Sequence, residues 1–310
     1  MLRPATLSTK SIPMTERFQR LTALAMQLRR DVVNAVTIAQ DGHPGPCMSA
    51  ADVVAALYFD ILRVRPEEPD WADRDRFILS KGHACPVVYA ALARRGYFPP
   101  SELKTLRSLG SRLQGHPVMG KTPGIDATSG SLGHGLSQGC GLALAARRRG
   151  IDGLAFVLTG DGELEEGIVW EAAMAAPKWK LTNLIAIVDN NGMQSGGAVQ
   201  AVGGLYPLRD KWEAFGWHVV EIDGHDMEQI VSVLEKAAAR GRARPSPDAG
   251  APIVPWQQPP RPGQPIVVIA HTVKGKGVPY MEGDNSWHKR VLTEAEHRLA
   301  LSLLGGLDLD

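Results

Sequence analysis

Four short apolar runs constrain this chain more than any other feature. They are 153–160 (GLAFVLTG), 183–190 (NLIAIVDN), 217–224 (WHVVEIDG) and 265–271 (PIVVIAH). Each is bounded by turn formers and is apolar at consecutive positions, as strands buried on both faces are. Between them lie 164–179 (LEEGIVWEAAMAAPKW) and 226–241 (DMEQIVSVLEKAAARG), whose apolar residues recur at helical spacing. Strands alternating with helices imply crossover units, and therefore an α/β domain with a mainly parallel sheet covered on both faces. Helical patterns also fill 14–40, ending at Asp41-Gly42, then 50–62 with Ser49 as cap, 84–96 ending at Gly96, and 136–150. The chain thus begins with a helical segment.

The 310 residues suffice for one large domain. The expected division is a loose arm over 1–13, one domain over 14–300 and a tail over 301–310. The proline-rich stretch 241–264 reads as an extended loop inserted before the last strand. Net charge is +1, which leaves no basic footprint for a nucleic acid. No apolar run reaches the roughly 18–20 residues of a membrane span, and the N-terminus has no apolar core of a secretory signal. Cys47, Cys85 and Cys140 are far apart and odd in number, so they read as buried thiols of a reducing, cytoplasmic protein.

Chemistry is concentrated at 159–167, TGDGELEEG, where four acids and three glycines follow an apolar strand. In open parallel sheets ligands sit at the carboxyl ends of strands. Asp161 stands at such an end, flanked by glycines that permit close backbone approach. A helix starting near Leu164 offers free N–H groups to a phosphate. Phosphate and Asp161 would repel each other unless a hard divalent cation lay between them, which points to Mg²⁺, with Ca²⁺ or Mn²⁺ as substitutes. A second oxygen is expected from Asn191, thirty positions on in NLIAIVDNNGMQ, about one strand–helix–strand unit away. Gly192 allows a turn that brings the Met193 carbonyl to the same ion. Taken singly, DG and NG are ordinary turn signals. Together, each after an apolar strand, they point to a site. The glycine spacing does not match a nicotinamide fingerprint.

This GDG…NN pair is the thiamine pyrophosphate motif, and the chain resembles the N-terminal, pyrophosphate-binding half of a transketolase over roughly residues 15–290. Three further stretches carry the resemblance: DGHPGPCMSAAD with His43, DRFILSKGHACPVVYAAL with His83, and LQGHPVMGKTPGIDATSGSLGHG with His116. It implies a thiamine-pyrophosphate-binding fold. It also implies that His43 and His116 face the sugar and help move protons, work suited to a side chain that titrates near neutrality. His83 is implied near the pyrophosphate. The loop with Gly130, Ser131 and Leu132 is implied against the cofactor, although Leu132 equally fits simple packing. Asp161, Asn191 and the Met193 carbonyl carry over as metal ligands, and the Gly162 N–H as a phosphate donor. Glu166 matches a glutamate that bonds across to the other half of the enzyme; a solvated acid in a first helical turn is the plainer account. Glu163 and Glu165 are assigned to that plainer account.

Two departures stand out. Many relatives have a histidine near the last strand that contacts pyrophosphate; here the segment is MEGDNSWHKR, with Asn285 in that place and His288 three residues on. HTVKGKG offers Lys274, read either as a neutralising partner of the pyrophosphate or as a solvated lysine, and SKGH has Lys81 where many relatives have a neutral residue.

Transketolases in one chain continue into a second half, which the resemblance implies supplies the glutamate that activates the cofactor and most groups that read a sugar phosphate. The expectation is therefore a subunit that needs a separate C-terminal partner and assembles as two copies of each. It would move a two-carbon ketol unit from a ketose or ketose phosphate to an aldose or aldose phosphate. Alternatives are a subunit of a 1-deoxyxylulose-5-phosphate synthase-like enzyme, a pyruvate-type dehydrogenase subunit, and a non-catalytic regulatory subunit. GHPG and the three histidines favour transketolase, and intact Asp161, Asn191, His43 and His116 favour a catalytic subunit.

Overall fold

A computed structural model describes residues 13–242 and 261–306. Residues 1–12 of the expected arm and most of the proline-rich insert lie outside the described residues. The helices are α1 (Met14–Ala39), α2 (Pro44–Ala56), α3 (Cys85–Arg95), α4 (His134–Arg148), α5 (Gly167–Lys178), α6 (Val199–Val202), α7 (Leu208–Ala214), α8 (Met227–Arg242) and α9 (Glu294–Leu303). The strands are β1 (Arg76–Leu79), β2 (Ala155–Gly160), β3 (Leu184–Asn190), β4 (Met193–Gln194), β5 (Gly197–Ala198), β6 (His218–Asp223) and β7 (Ile266–His271).

Five strands form one parallel sheet in the order β1-β2-β3-β7-β6, and β4 and β5 form a small antiparallel ladder. The four expected strands are all present. β1 is an addition: four residues led by Arg76 carry too short an apolar run to stand out in the sequence. Alternate side chains of the sheet enter two cores, as the period of a strand requires. Phe156, Leu158, Ile185, Ile187, Ile266 and Val268 join α1, α2, α3 and α8 on one face. Ala155, Val157, Leu184, Ala186, Val267 and Ile269 join α4, α5 and α7 on the other.

Helix α2 is buried along its whole length, with Pro44 in its first turn, where the missing N–H costs nothing. This corrects the expected start: Ser49 caps nothing but sits inside α2, its hydroxyl bonded to the Pro46 carbonyl and to Asp189. The expected helix from Leu164 also divides. Gly162–Glu165 is a 3₁₀ turn, and α5 starts at Gly167 with Glu166 as its N-cap residue. At the other end α9 opens with a capping box between Thr293 and Glu296, and Leu301 and Leu304 are buried, so packed structure continues past residue 300. No helix among the described residues is long and apolar enough to cross a membrane.

Candidate active site

The carboxyl ends of β2, β3 and β7 open into a cleft of about 420 Å³, within the range of small-molecule sites. Its walls include His43, His83, Gly130, Leu132, Asp161, Gly162, Glu166, Asn191, Met193 and Lys274, so ten of the residues singled out in the sequence share one cavity. His116 and Ser131 are not among the walls and are exposed. His116 lies at the rim against Gly130: a Cβ there would stand 3.2 Å from His116 Cγ, and the backbone has φ +142°, so glycine is required twice over.

β2 and β3 are neighbours with Gly160 opposite Asp189, so Asp161 and Asn191 follow adjacent strand ends. Asp161 is buried, and its carboxylate accepts the N–H groups of Gly162 (2.8 Å) and Gly192 (2.5 Å). Burial, and then the nearby Asp189, push its pKa up to about 7. The Asn191 side-chain oxygen accepts the Met193 N–H at 3.0 Å. Gly162 N–H, expected on a phosphate, is here bonded to Asp161.

Beneath them lies an ion pair that the sequence does not announce. Asp189 and Lys81 are both buried and bonded to each other, and the Lys81 ammonium also donates to the Pro46 carbonyl at 3.0 Å. Ser49 and Thr272 hydroxyls donate to the same carboxylate. Burial alone would raise the Asp189 pKa; Lys81 and the hydroxyls more than offset it and hold it below the usual value.

Histidines form the opposite wall. The His43 and His83 rings lie 5.2 Å apart, and His288 lies 5.6 Å from the first and 5.3 Å from the second. Asn285, expected in the last-strand position, stands behind the cleft and bonds Lys274, whereas His288, three residues on, lines it. Lys274 is buried and donates to Asn285 (2.8 Å) and reaches His288 Nδ1 (3.0 Å). Burial, then Lys81, lower its pKa to about 8. Burial is also the main cause that lowers His43 to about 4, with Arg107 next, and His288 to about 4, with Lys274 next. His83 falls to about 2 by burial and then Lys81. All three rings are therefore neutral hydrogen-bonding groups near pH 7.

The four acids of the glycine-rich turn separate. Glu163 is buried, against the solvated place expected for it. Its carboxylate accepts the N–H groups of Gly133 (2.7 Å) and Gly160 (3.0 Å) and the Ser80 hydroxyl, because the 3₁₀ turn swings it inward toward the start of α4. Glu165 is exposed and accepts from Gln194 at 2.8 Å, and Glu166 is exposed at the cleft edge.

The cavity fits a diphosphate bridged by a cation. One wall has the buried Asp161 carboxylate, which is bonded to no cationic side chain among the described residues. The other has Lys274 and the buried His43 Nδ1, which has no hydrogen-bond partner among the described residues. A family model described as "Transketolase, thiamine diphosphate binding domain" matches residues 21–247. The chain belongs to the transketolase family. It is 41% identical to the 6-deoxy-6-sulfo-D-fructose transketolase subunit SqwG of a Clostridium species, with 90% of this chain and 96% of that protein covered. It is 40% identical to an apulose-4-phosphate transketolase subunit of Phocaeicola vulgatus, with 88% and 89% covered. The transketolase structure from Campylobacter jejuni superimposes with a TM-score of 0.81 at 31% identity, covering 93% of this chain and 43% of that one. The chain is thus a component of a transferase, the transketolase subunit that carries the thiamine-diphosphate-binding domain. It spans under half the length of the transketolase structures it matches. Within that family the sequence motifs locate ten of the residues that line the cleft. They do not mark His288 and Lys81 as site residues, whose placement depends on how the loops after β1 and β7 fold back.

Proposed function

We propose that this transketolase subunit works with a separately encoded C-terminal subunit, as two copies of each chain in the cytoplasm. In that assembly it transfers a two-carbon ketol unit from a ketose or ketose phosphate to an aldose or aldose phosphate, as in pentose phosphate chemistry. The observation that carries this reading is the meeting of Asp161, Asn191, Lys274 and three neutral histidines in one cleft. The subunit names of the relatives that this chain covers almost end to end support the separate partner.

Asp161, Asn191 and the Met193 carbonyl would hold Mg²⁺, with Ca²⁺ or Mn²⁺ able to substitute, since all are oxygen donors suited to a hard cation. Gly162 N–H, His83 and Lys274 would meet the diphosphate, and Gly130, Ser131 and Leu132 would line the cofactor's flank. When bound, thiamine diphosphate supplies the electron sink for breaking a carbon–carbon bond beside a ketose carbonyl. His43 and His116 would orient the sugar hydroxyls and carry protons, for which neutral imidazoles are suited. Glu166, exposed at the edge, would reach the partner subunit.

The test is ketol transfer by the purified chain with thiamine diphosphate and Mg²⁺, alone and with the C-terminal subunit encoded beside it. Activity only in the mixture is expected. Full activity of the chain alone would remove the need for a partner, and a mixture that binds cofactor yet transfers nothing would favour a regulatory subunit.

A further inference from the structure

Arg107 has no place in the motifs above, yet its position is specific. It is one of three non-glycine residues with positive φ among those described (φ 61°), and its N–H bonds the Leu113 carbonyl at 2.8 Å. This conformation is uncommon for a long side chain and is held by its surroundings. The guanidinium donates through Nη1 to Asp41 Oδ2 at 2.5 Å and through Nη2 to the Gly115 carbonyl at 3.3 Å. It packs closely on Gly115: a Cβ at that position would stand 2.9 Å from Arg107 Cζ. Asp41 is two residues before His43, and Gly115 immediately precedes His116.

We propose that Arg107 is a positioning residue for ketol transfer, clasping the segment that carries His43 to the segment that carries His116 and so setting both rings across the cleft mouth. A planar fork suits this task, because it holds two acceptors in fixed directions where an ammonium would not. The rest of the loop is anchored from α3, by Tyr89 OH on the Gln114 carbonyl (2.9 Å) and Cys85 Sγ on the Gly115 carbonyl (3.2 Å), so Arg107 sets its relation to Asp41 rather than its existence. Lys289 approaches the other Asp41 oxygen at 3.6 Å from the far side.

The fixed charge has a second consequence. His43 is faced by Arg107, Lys289, Asp41 and His116, and its ring packs on those of His83 and His288; burial lowers its pKa first, and Arg107 is the next cause. His116 is lowered by burial and then by Arg107. Removing the cation therefore raises both titrations, whereas moving the clasp without removing charge does not.

The catalytic part rests on the reading that His43 and His116 face the sugar, so the test has separate arms. In the full chain labelled with ¹⁵N-histidine, with thiamine diphosphate and Mg²⁺ present, Arg107→Gln should raise the titration midpoints of both rings, by roughly one pH unit. Arg107→Lys should leave them nearly unchanged. In the assembled enzyme both variants should lower kcat about tenfold to a hundredfold, as small misplacements of reacting groups do, with cofactor affinity intact. Asp41→Ala removes the acceptor, so it cuts the clasp from its other end and carries the same kcat expectation should the Arg107 variants not fold. Unchanged kcat in a folded Asp41→Ala or in a folded Arg107→Lys overturns the proposal. So do unchanged histidine midpoints in a folded Arg107→Gln. Full kcat in His43→Ala and His116→Ala would instead end the reading of those histidines, leaving the titration result to stand by itself.

Discussion

Asp161 and Asn191 follow neighbouring parallel strands, and the Gly192 N–H bridges them by donating to Asp161 Oδ2 at 2.5 Å. The two proposed oxygen ligands are thereby fixed on backbone that the sheet itself positions. A divalent ion between them would replace the proton that a buried carboxyl of pKa about 7 retains. Asp161→Asn keeps the shape and removes the charge. We expect it to weaken Mg²⁺-dependent binding of thiamine diphosphate at least about tenfold, with the fold retained. Titration calorimetry with and without Mg²⁺ checks this; an unchanged affinity would show that Asp161 is not a ligand.

Glu163 closes the floor of the same site. It is 4% exposed and satisfies the N–H groups of Gly133 and Gly160 together with the Ser80 hydroxyl. Glu163→Ala leaves those donors buried without a partner, at about 1–3 kcal/mol for each. Urea unfolding should show a loss of roughly 3 kcal/mol or more. Glu163→Gln, which retains one acceptor oxygen, should lose less. Equal losses would mean that packing rather than hydrogen bonding sets the stability here.

Lys81 and Asp189 make a similar case with charge. Removing Lys81 leaves a buried carboxylate facing Asp161, and Lys81→Met should cost about 3–5 kcal/mol. The double variant Lys81→Met with Asp189→Leu removes both charges and should recover much of that stability. A double variant no more stable than the single one would show that the pair is retained for packing and not for neutralisation.

How much of this is legible in the sequence follows from where the signals lie. The strand ends are legible because strands buried on both faces are apolar at every position and their ends are marked by glycine. β1 is not, since RFIL is short and begins with Arg76. Glu163 is misplaced by the sequence pattern because an acid after a strand normally faces water; only the 3₁₀ turn, whose partner Gly133 is thirty residues earlier, turns it inward. Ser49 resembles a cap because the helix start depends on Pro44, and α2 begins six residues sooner than that cap implies. His288 is distant in sequence from His43 and meets it only because the loop after β7 folds over the cleft.

That loop also supplies Lys274. Its ammonium is buried, and among its partners Asn285 and His288 neither carries a negative charge. An anion in the cleft would complete it. Lys274→Met should raise the Kd for thiamine diphosphate about tenfold, while binding of thiamine itself should hardly change, because only the phosphates are read. An equal effect on both ligands would place Lys274 in packing rather than in diphosphate binding.

The histidine cluster gives the protein an acid limit. His43 and His288 titrate near 4 in the folded chain, and His83 near 2, against 6.5 in the unfolded one. The sign follows from these depressed values: between pH 6.5 and about 4 the unfolded state binds more protons, so stability falls as pH falls through that window. More than about one unit above 6.5 both states are neutral, and these groups contribute no slope. Urea unfolding midpoints should therefore drop steadily from about pH 7 to about pH 5. A chain with His43, His83 and His288 replaced by Asn should lose part of that slope. An identical slope in that variant would assign acid sensitivity to other groups, and would mean that the three rings accept protons as readily in the cleft as in water.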